Sequence, residues 1–217
     1  MRKGARNPAK RSAILKAAEK VFAARGFHEA RISDIAGEAH VSDATIYEYF
    51  STKEELLFSI PADTIREYLE KNLEILAHIK KASDKLRTLI ARHLSLYAHN
   101  EDYANVVMLI LKGNRNFLKT DAYKVVQASA RITTHVLEEG IRTGEFRADL
   151  EPHLVRAMIW GTIEHLVIRK SLLGKPEDLL SIADDITDTI LGGIVASHGE
   201  PTLNVRLTIS NTSGKES

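Results

Sequence analysis

Apolar residues recur at helical spacing along most of the chain. In residues 9–25, Ile14, Ala17, Ala18, Val21 and Phe22 share one face, and Gly26 follows as a C-cap. Phe27 then returns toward that face. Ile32, Ile35, Ala36 and Ala39 stand at i, i+3, i+4 and i+7, the inner face of a short second helix that opens near Arg31 or Ser33. His40-Val41 breaks it, and Ser42 is a good N-cap for a third helix whose Ile46 and Phe50 face inward. Asp43, Ala44, Thr45, Tyr47, Glu48 and Tyr49 are left to the outside or the edges. Two short helices across a tight turn, the second polar and aromatic-bearing, describe a helix-turn-helix.

A longer helix begins after Thr52, with Leu56, Leu57, Ile60, Ile65, Leu69, Leu73 and Leu76 beneath. Pro61 removes a backbone donor inside this run, which predicts a kink or a break near Phe58. A bend there either aims the head or is a mere kink. Ala82-Ser83-Asp84 is a break with a cap, before a helix over 85–99 bearing Leu86, Leu89, Ile90, Leu94 and Tyr97. The next helix starts at Asn100-Glu101-Asp102; its residues 106–111 are apolar almost all round and so predict burial on most sides. Gly113-Asn114 ends it, Thr120-Asp121 opens a helix to 143, and Gly144 closes that one. Glu151-Pro152 starts a helix over 152–173, with Leu154, Ala157, Met158, Gly161, His165 and Ile168 on one stripe and Ile159, Ile163 and Leu166 on another. After the turn Gly174-Lys175-Pro176 a last helix runs over 177–197, with Gly192-Gly193 embedded. The pattern predicts an all-α chain: a three-helix head with a basic N-terminal arm in 1–53, a helical body in 54–198 and a flexible tail in 199–217, where Val205 to Ile209 alternate as an edge strand would.

Hydrophobic content of 44% is ample for a core. No run approaches the roughly 20 apolar residues of a membrane span, and no apolar stretch opens the chain as a signal peptide would. With no cysteine, disulfides and thiolate metal sites are excluded, which fits a cytoplasmic protein. The net charge of +1 conceals an asymmetry: residues 1–53 carry ten Lys/Arg against six Asp/Glu, and residues 54–217 carry twenty against twenty-three. A basic end on a mildly acidic body points to an anionic partner, whether DNA, RNA or a membrane surface. Arg2, Lys3 and Arg6 are either a solvated tail or an arm reaching phosphates or a minor groove.

The run ISDIAGEAHVSDATIYEYFSTKEELL resembles the DNA-binding segment of the TetR family of transcriptional regulators. Ile35-Ala36, Val41-Ser42, Thr45-Ile46-Tyr47, Tyr49-Phe50 and Lys53-Glu54-Glu55-Leu56 carry the match. Two positions depart from the family pattern: Ala44 replaces a Gly before the Thr, and Ala39-His40 replaces Ala-Gly before the Val-Ser. His40 therefore implies a turn that accepts a side chain where a left-handed Gly is usual. The resemblance implies DNA contacts from Ser42, Thr45, Tyr47, Tyr49 and Lys53, with double-stranded operator DNA as the partner and a homodimer presenting two heads about 34–36 Å apart. It also implies that the last two helices form an intersubunit bundle, with Ala157, Gly161 and Ala183 permitting close approach.

The body is the expected effector site, since a largely apolar cavity with a few polar groups is the usual form of a small-molecule pocket. Candidate lining residues are Tyr97, Asn105, Met108, Arg115, Tyr123, His135 and Trp160, with Asn114 and Asn116 beside them. Arg92-His93-Leu94-Ser95-Leu96, Leu109-Ile110-Leu111-Lys112 and the run from Gly140 to Phe146 are similar to fatty-acid-responsive members of the family. That narrower likeness implies a long-chain acyl-CoA, its chain among apolar helices and its phosphates near Lys or Arg. A regulator of efflux responding to aromatic or cationic compounds, an architectural DNA binder and a helical enzyme are the competing readings. No HExxH, Walker loop, GxGxxG or GxSxG occurs among these residues, so neither catalytic site, metal nor cofactor is expected.

Overall fold

The computed structural model describes residues 7–196. The arm residues Arg2, Lys3 and Arg6 and the alternation from Val205 to Ile209 lie outside them. Helix α1 spans Pro8–Glu29, α2 Ile32–Glu38, α3 Asp43–Tyr49, α4 Lys53–Ala77 and α5 Ala82–Ala98. Helix α6, Glu101–Asn105, continues as a π-helical segment, Val106–Leu111, and a 3-10 turn, Phe117–Lys119, leads into α7, Asp121–Thr143. Helices α8, Pro152–Leu173, and α9, Ala183–Ile194, complete the body.

The caps follow the side chains. Asn7 Oδ1 accepts from the amides of Ala9 and Lys10 at 3.0 and 3.3 Å, with Pro8 in the first turn of α1 where its missing N–H costs nothing. Ser42, Thr52 and Thr120 each cap their helix through the hydroxyl. Gly144 and Gly174 close α7 and α8 in the left-handed region.

Gly26 does not end α1 outright: its φ of 74° interrupts the helix, and Phe27–Glu29 add one more turn that brings Phe27 to 5.8 Å from Phe22, centroid to centroid. Helix α4 runs through Pro61 without the expected break, and Leu73 on it is 54% exposed rather than buried. The expected break at Ala82-Ser83-Asp84 is itself helical. The carboxylate of Glu145 accepts from the amides of Ala82 and Ser83 at 2.8 and 3.0 Å, so the cap of α5 comes from a residue far along the chain. The last helix begins at Ala183, not 177, because Asp178 and Ser181 fold the preceding residues into turns, and it ends at Ile194. Within 106–111, Val106, Met108 and Leu111 are buried, but Leu109 is exposed. Leu109 stands on the face of the segment turned away from α1 and the cavity.

Helix α1 packs on α2 and α4 within the head and on α6 and the π-helical segment of the body. Helix α4 lies on α7, α5 on α7 and α9, and α6 on α8. The turn Gly144-Glu145-Phe146 ties several of these together. Phe146 is fully buried, its amide returns to Gly140 O at 3.0 Å, and Arg147 N and Ala196 N pair with Ile194 O and Glu145 O beyond α9. On α8 the buried face is Val155, Ile159, Ile163 and Val167. Leu154, Ala157, Met158, Gly161 and His165 are exposed, leaving an apolar stripe outside the body. Ala183 is buried within this chain and so is not available to a partner.

Candidate nucleic-acid interface and effector cavity

The head is built on Ile14, Ala18, Phe22, Ile35, Ile46 and Phe50, all buried. Ile46 and Phe50 hold α3 down, and its opposite face presents Asp43, Ala44, Tyr47 and Glu48 to solvent, with Tyr47 54% exposed. Ser42 Oγ accepts from Thr45 N at 3.2 Å and lies 3.0 Å from Thr45 Oγ1, so Ser42 shapes the N-terminus of α3 and holds Thr45 beside it. The turn ahead of α3 places His40 at φ 53°, so the side chain is accommodated without the turn leaving the left-handed backbone that Gly usually takes.

Two expected DNA contacts are placed differently. Tyr49 is not at the outside: it is 8% exposed, and its hydroxyl accepts from Asn7 N at 3.1 Å, which fastens the end of α3 to the start of α1. The ammonium of Lys53 donates to Phe27 O at 2.8 Å and Ala30 O at 2.9 Å, with His28 O at 3.4 Å, and stands 4.5 Å from the Phe27 ring centre. It satisfies the carbonyls left over where Gly26 bends α1. The family resemblance put these residues at DNA, but the partner that takes each one here is remote in sequence.

The basic surplus of the head is also partly spent. Arg11 pairs with Asp63, Lys20 with Glu38 at 2.7 Å and Arg25 with Asp34 at 2.8 Å. Glu19, on the side of α1 that faces the body, has its carboxyl pushed up to about 7 by burial and by the charge of Asp102, against an opposing effect of Lys16.

A cavity of about 380 Å³ lies within the body. Pro61 and Ile65 of α4, His93 and Tyr97 of α5, Tyr103 of α6 and Met108 and Leu111 of the π-helical segment form one side. Phe117, Tyr123, Val126 and Trp160 form the other, and Lys112 and Glu164, themselves ion-paired, stand at its edge. Of the expected lining residues it gathers Tyr97, Met108, Tyr123 and Trp160. Asn105 lines a separate pocket of about 270 Å³ with Tyr97 and Lys170. Arg115 and His135 are exposed and line neither, Arg115 because it lies in the turn after the π-helical segment and His135 because it faces away on α7. His93, Tyr103 and Phe117 join the cavity unforeseen. The stacking of Tyr97 on Tyr103 at 5.9 Å and the contact of His93 with Trp160 at 4.1 Å arise from helices the sequence does not pair.

Burial lowers the His93 imidazole to about 3, so the ring is neutral, and it raises the hydroxyls of Tyr97 and Tyr103 above the usual range. Nδ1 of His93 and Nε1 of Trp160 are buried with no hydrogen-bond partner in the protein. Against this cavity lies a second chamber of about 590 Å³ between α7 and α8. The two share Tyr123, Val126, Ala130, Trp160 and Glu164, and the second adds Gln127, Arg131 and Arg156. The first chamber is mostly apolar and aromatic; the second has two guanidinium groups in its lining. No group of three or more potential metal ligands gathers among the described residues, and no helix among them is long and apolar enough to cross a membrane.

Residues 14–60 match the model of the bacterial regulatory proteins of the tetR family, and residues 62–193 match that of the YsiA-like protein C-terminal region. The fatty acid metabolism regulator protein of Bacillus subtilis is 32% identical over 181 residues, 83% of this chain and 93% of that protein. The repressor KstR2 of Mycolicibacterium smegmatis is 25% identical over 88% of this chain and 93% of its own length. Among solved structures, the transcriptional regulator FadR of Bacillus subtilis in complex with stearoyl-CoA superposes with a TM-score of 0.79 at 31% identity, covering 84% of this chain and 98% of that one. FadR of Bacillus halodurans gives 0.78 at 29%, with 84% and 98% covered. With a reading helix held by Ile46 and Phe50, a separate ligand-sized chamber in the body and relatives that are regulators along nearly their whole length, the chain belongs to the TetR family of DNA-binding transcriptional regulators and is not an enzyme.

Proposed function

We propose that the protein is a homodimeric repressor whose grip on operator DNA is released by a long-chain acyl-CoA. The observation that carries this reading is the pair of adjoining chambers. An apolar one suits an acyl chain, and the one beside it, bearing Arg131 and Arg156, suits the phosphates of the head group. The likeness to FadR bound to stearoyl-CoA supports the same ligand class.

On the DNA side, Tyr47 and Thr45 of α3 face the major groove, with Ser42 at its entrance. Tyr49 contributes through the one hydrogen its hydroxyl still has to give, and Lys53 through the α1 turn it holds. The stripe of Leu154, Met158 and Gly161 on α8 joins the same stripe of a second copy, placing two heads on successive major grooves of cytoplasmic DNA. An effector acts by binding better to the copy spacing that fits DNA badly. The test is a gel shift on the gene's own upstream DNA at low salt, with and without stearoyl-CoA. A specific shift abolished by the thioester is expected, and the absence of any shifted fragment overturns the proposal.

A further inference from the structure

Trp160 lies where the two chambers meet and lines both of them. Its indole Nε1 is buried and has no acceptor in the protein, and the neighbouring His93, 4.1 Å away between ring centres, leaves Nδ1 without a partner too. A buried donor without an acceptor is costly, and a phenylalanine would cover the same wall without that cost. Tryptophan in a buried wall ordinarily finds a partner for its N–H. Here the protein supplies none, which leaves the N–H to solvent or to a ligand that displaces it. An indole N–H only donates, which means the ligand must present an acceptor at this depth.

We infer that Trp160 sets the register of the effector by donating its indole N–H to the carbonyl oxygen of an acyl thioester. This rests on the acyl-CoA reading above and adds a polar contact at the junction of acyl chain and head group. With the alkyl chain among Tyr97, Met108 and Phe117, the thioester carbonyl is the first acceptor that follows it, ahead of the pantetheine amides. Nε1 is covered by protein atoms, so the contact requires the indole to turn toward the chambers it lines. His93, held neutral by its burial, brings no charge to compete at that point.

The test compares stearoyl-CoA with S-octadecyl-CoA, the thioether that lacks only the carbonyl oxygen, by isothermal titration of the full chain. The wild type is expected to bind the thioester about tenfold more tightly, the equivalent of about 1.4 kcal/mol. Trp160→Phe should bring the thioester down to the affinity of the thioether and leave the thioether where it was. Equal binding of the two probes by the wild type overturns the inference without any variant. An equal loss of both probes in Trp160→Phe overturns it as well, since that marks a role in shape alone. If neither probe binds the wild type, the acyl-CoA reading itself falls and takes this contact with it.

Discussion

A Cβ placed on Gly140 would stand 2.1 Å from Cδ2 of Phe146. The buried Phe146 ring lies directly on the α7 backbone, and only a residue without a side chain lets it do so. Its neighbour Glu145 meanwhile caps α5. Gly140→Ala must push the ring out of a filled core, at a cost of about 1–3 kcal/mol. Thermal unfolding should show a fall of about 2–4 °C for each kcal/mol in a chain of this size. An unchanged melting temperature would mean that the ring moves aside freely.

Lys53→Met leaves the carbonyls of Phe27 and Ala30 without their charged donor. Hydrogen bonds to charged groups contribute about 1.5–3 kcal/mol, and stability should drop by that order. If the ammonium stays on these carbonyls in the complex, the slope of log K against log salt for operator binding is unchanged. A slope shallower by about one unit would instead reveal a phosphate contact.

His40→Gly should stabilise the head. A side chain in the left-handed region costs about 1–2 kcal/mol, of which the greater freedom of Gly in the unfolded chain takes back about half. Urea denaturation should show a gain of about 0.5–1 kcal/mol, and a loss would mean that the imidazole makes a contact that matters more than its backbone strain.

Glu19 makes stability depend on pH. Its carboxyl is raised from 4.5 to about 7, first by burial and then by Asp102. Between those values the folded chain holds a proton that the unfolded chain has released, so the group favours folding at low pH and that contribution is lost as pH rises through about 7. Glu19→Gln removes the dependence. Its melting temperature relative to the wild type should be higher at pH 8 than at pH 5. A constant difference would show that Glu19 titrates normally.

Met158→Glu puts a charge on the exposed stripe of α8, where Met158 is 61% exposed and no residue of its own body needs it. Light scattering should report a monomer that still binds stearoyl-CoA and no longer shifts operator DNA. A dimer of normal affinity would place the interface elsewhere.

The helices with strong periodicity and local caps could be read from the chain directly: α3 from Ser42 and Ile46, α7 from Thr120 and Gly144, α8 from Pro152 and Gly174. What escaped depended on partners distant in sequence. Glu145 moves the start of α5, Asn7 turns Tyr49 inward, and the carbonyls around Gly26 take Lys53. In the cavity, Tyr97, Tyr123 and Trp160 are legible as polar breaks in apolar runs, a sign that also marks Asn105, Arg115 and His135, which lie outside it. His93 and Phe117 are not legible, because their lining role depends on which helices cross there. Leu73 lies one step off the buried face of α4, which runs through Asn72 to Leu76.

The segment Val106–Leu111 touches α1 on one side and offers Val107, Met108 and Leu111 to the ligand chamber on the other. Cavity and head thus share a single partition, with no further helix between them. A shift of that partition would press on α1 directly, and the bond from Asn7 N to the Tyr49 hydroxyl ties the start of α1 to the end of α3.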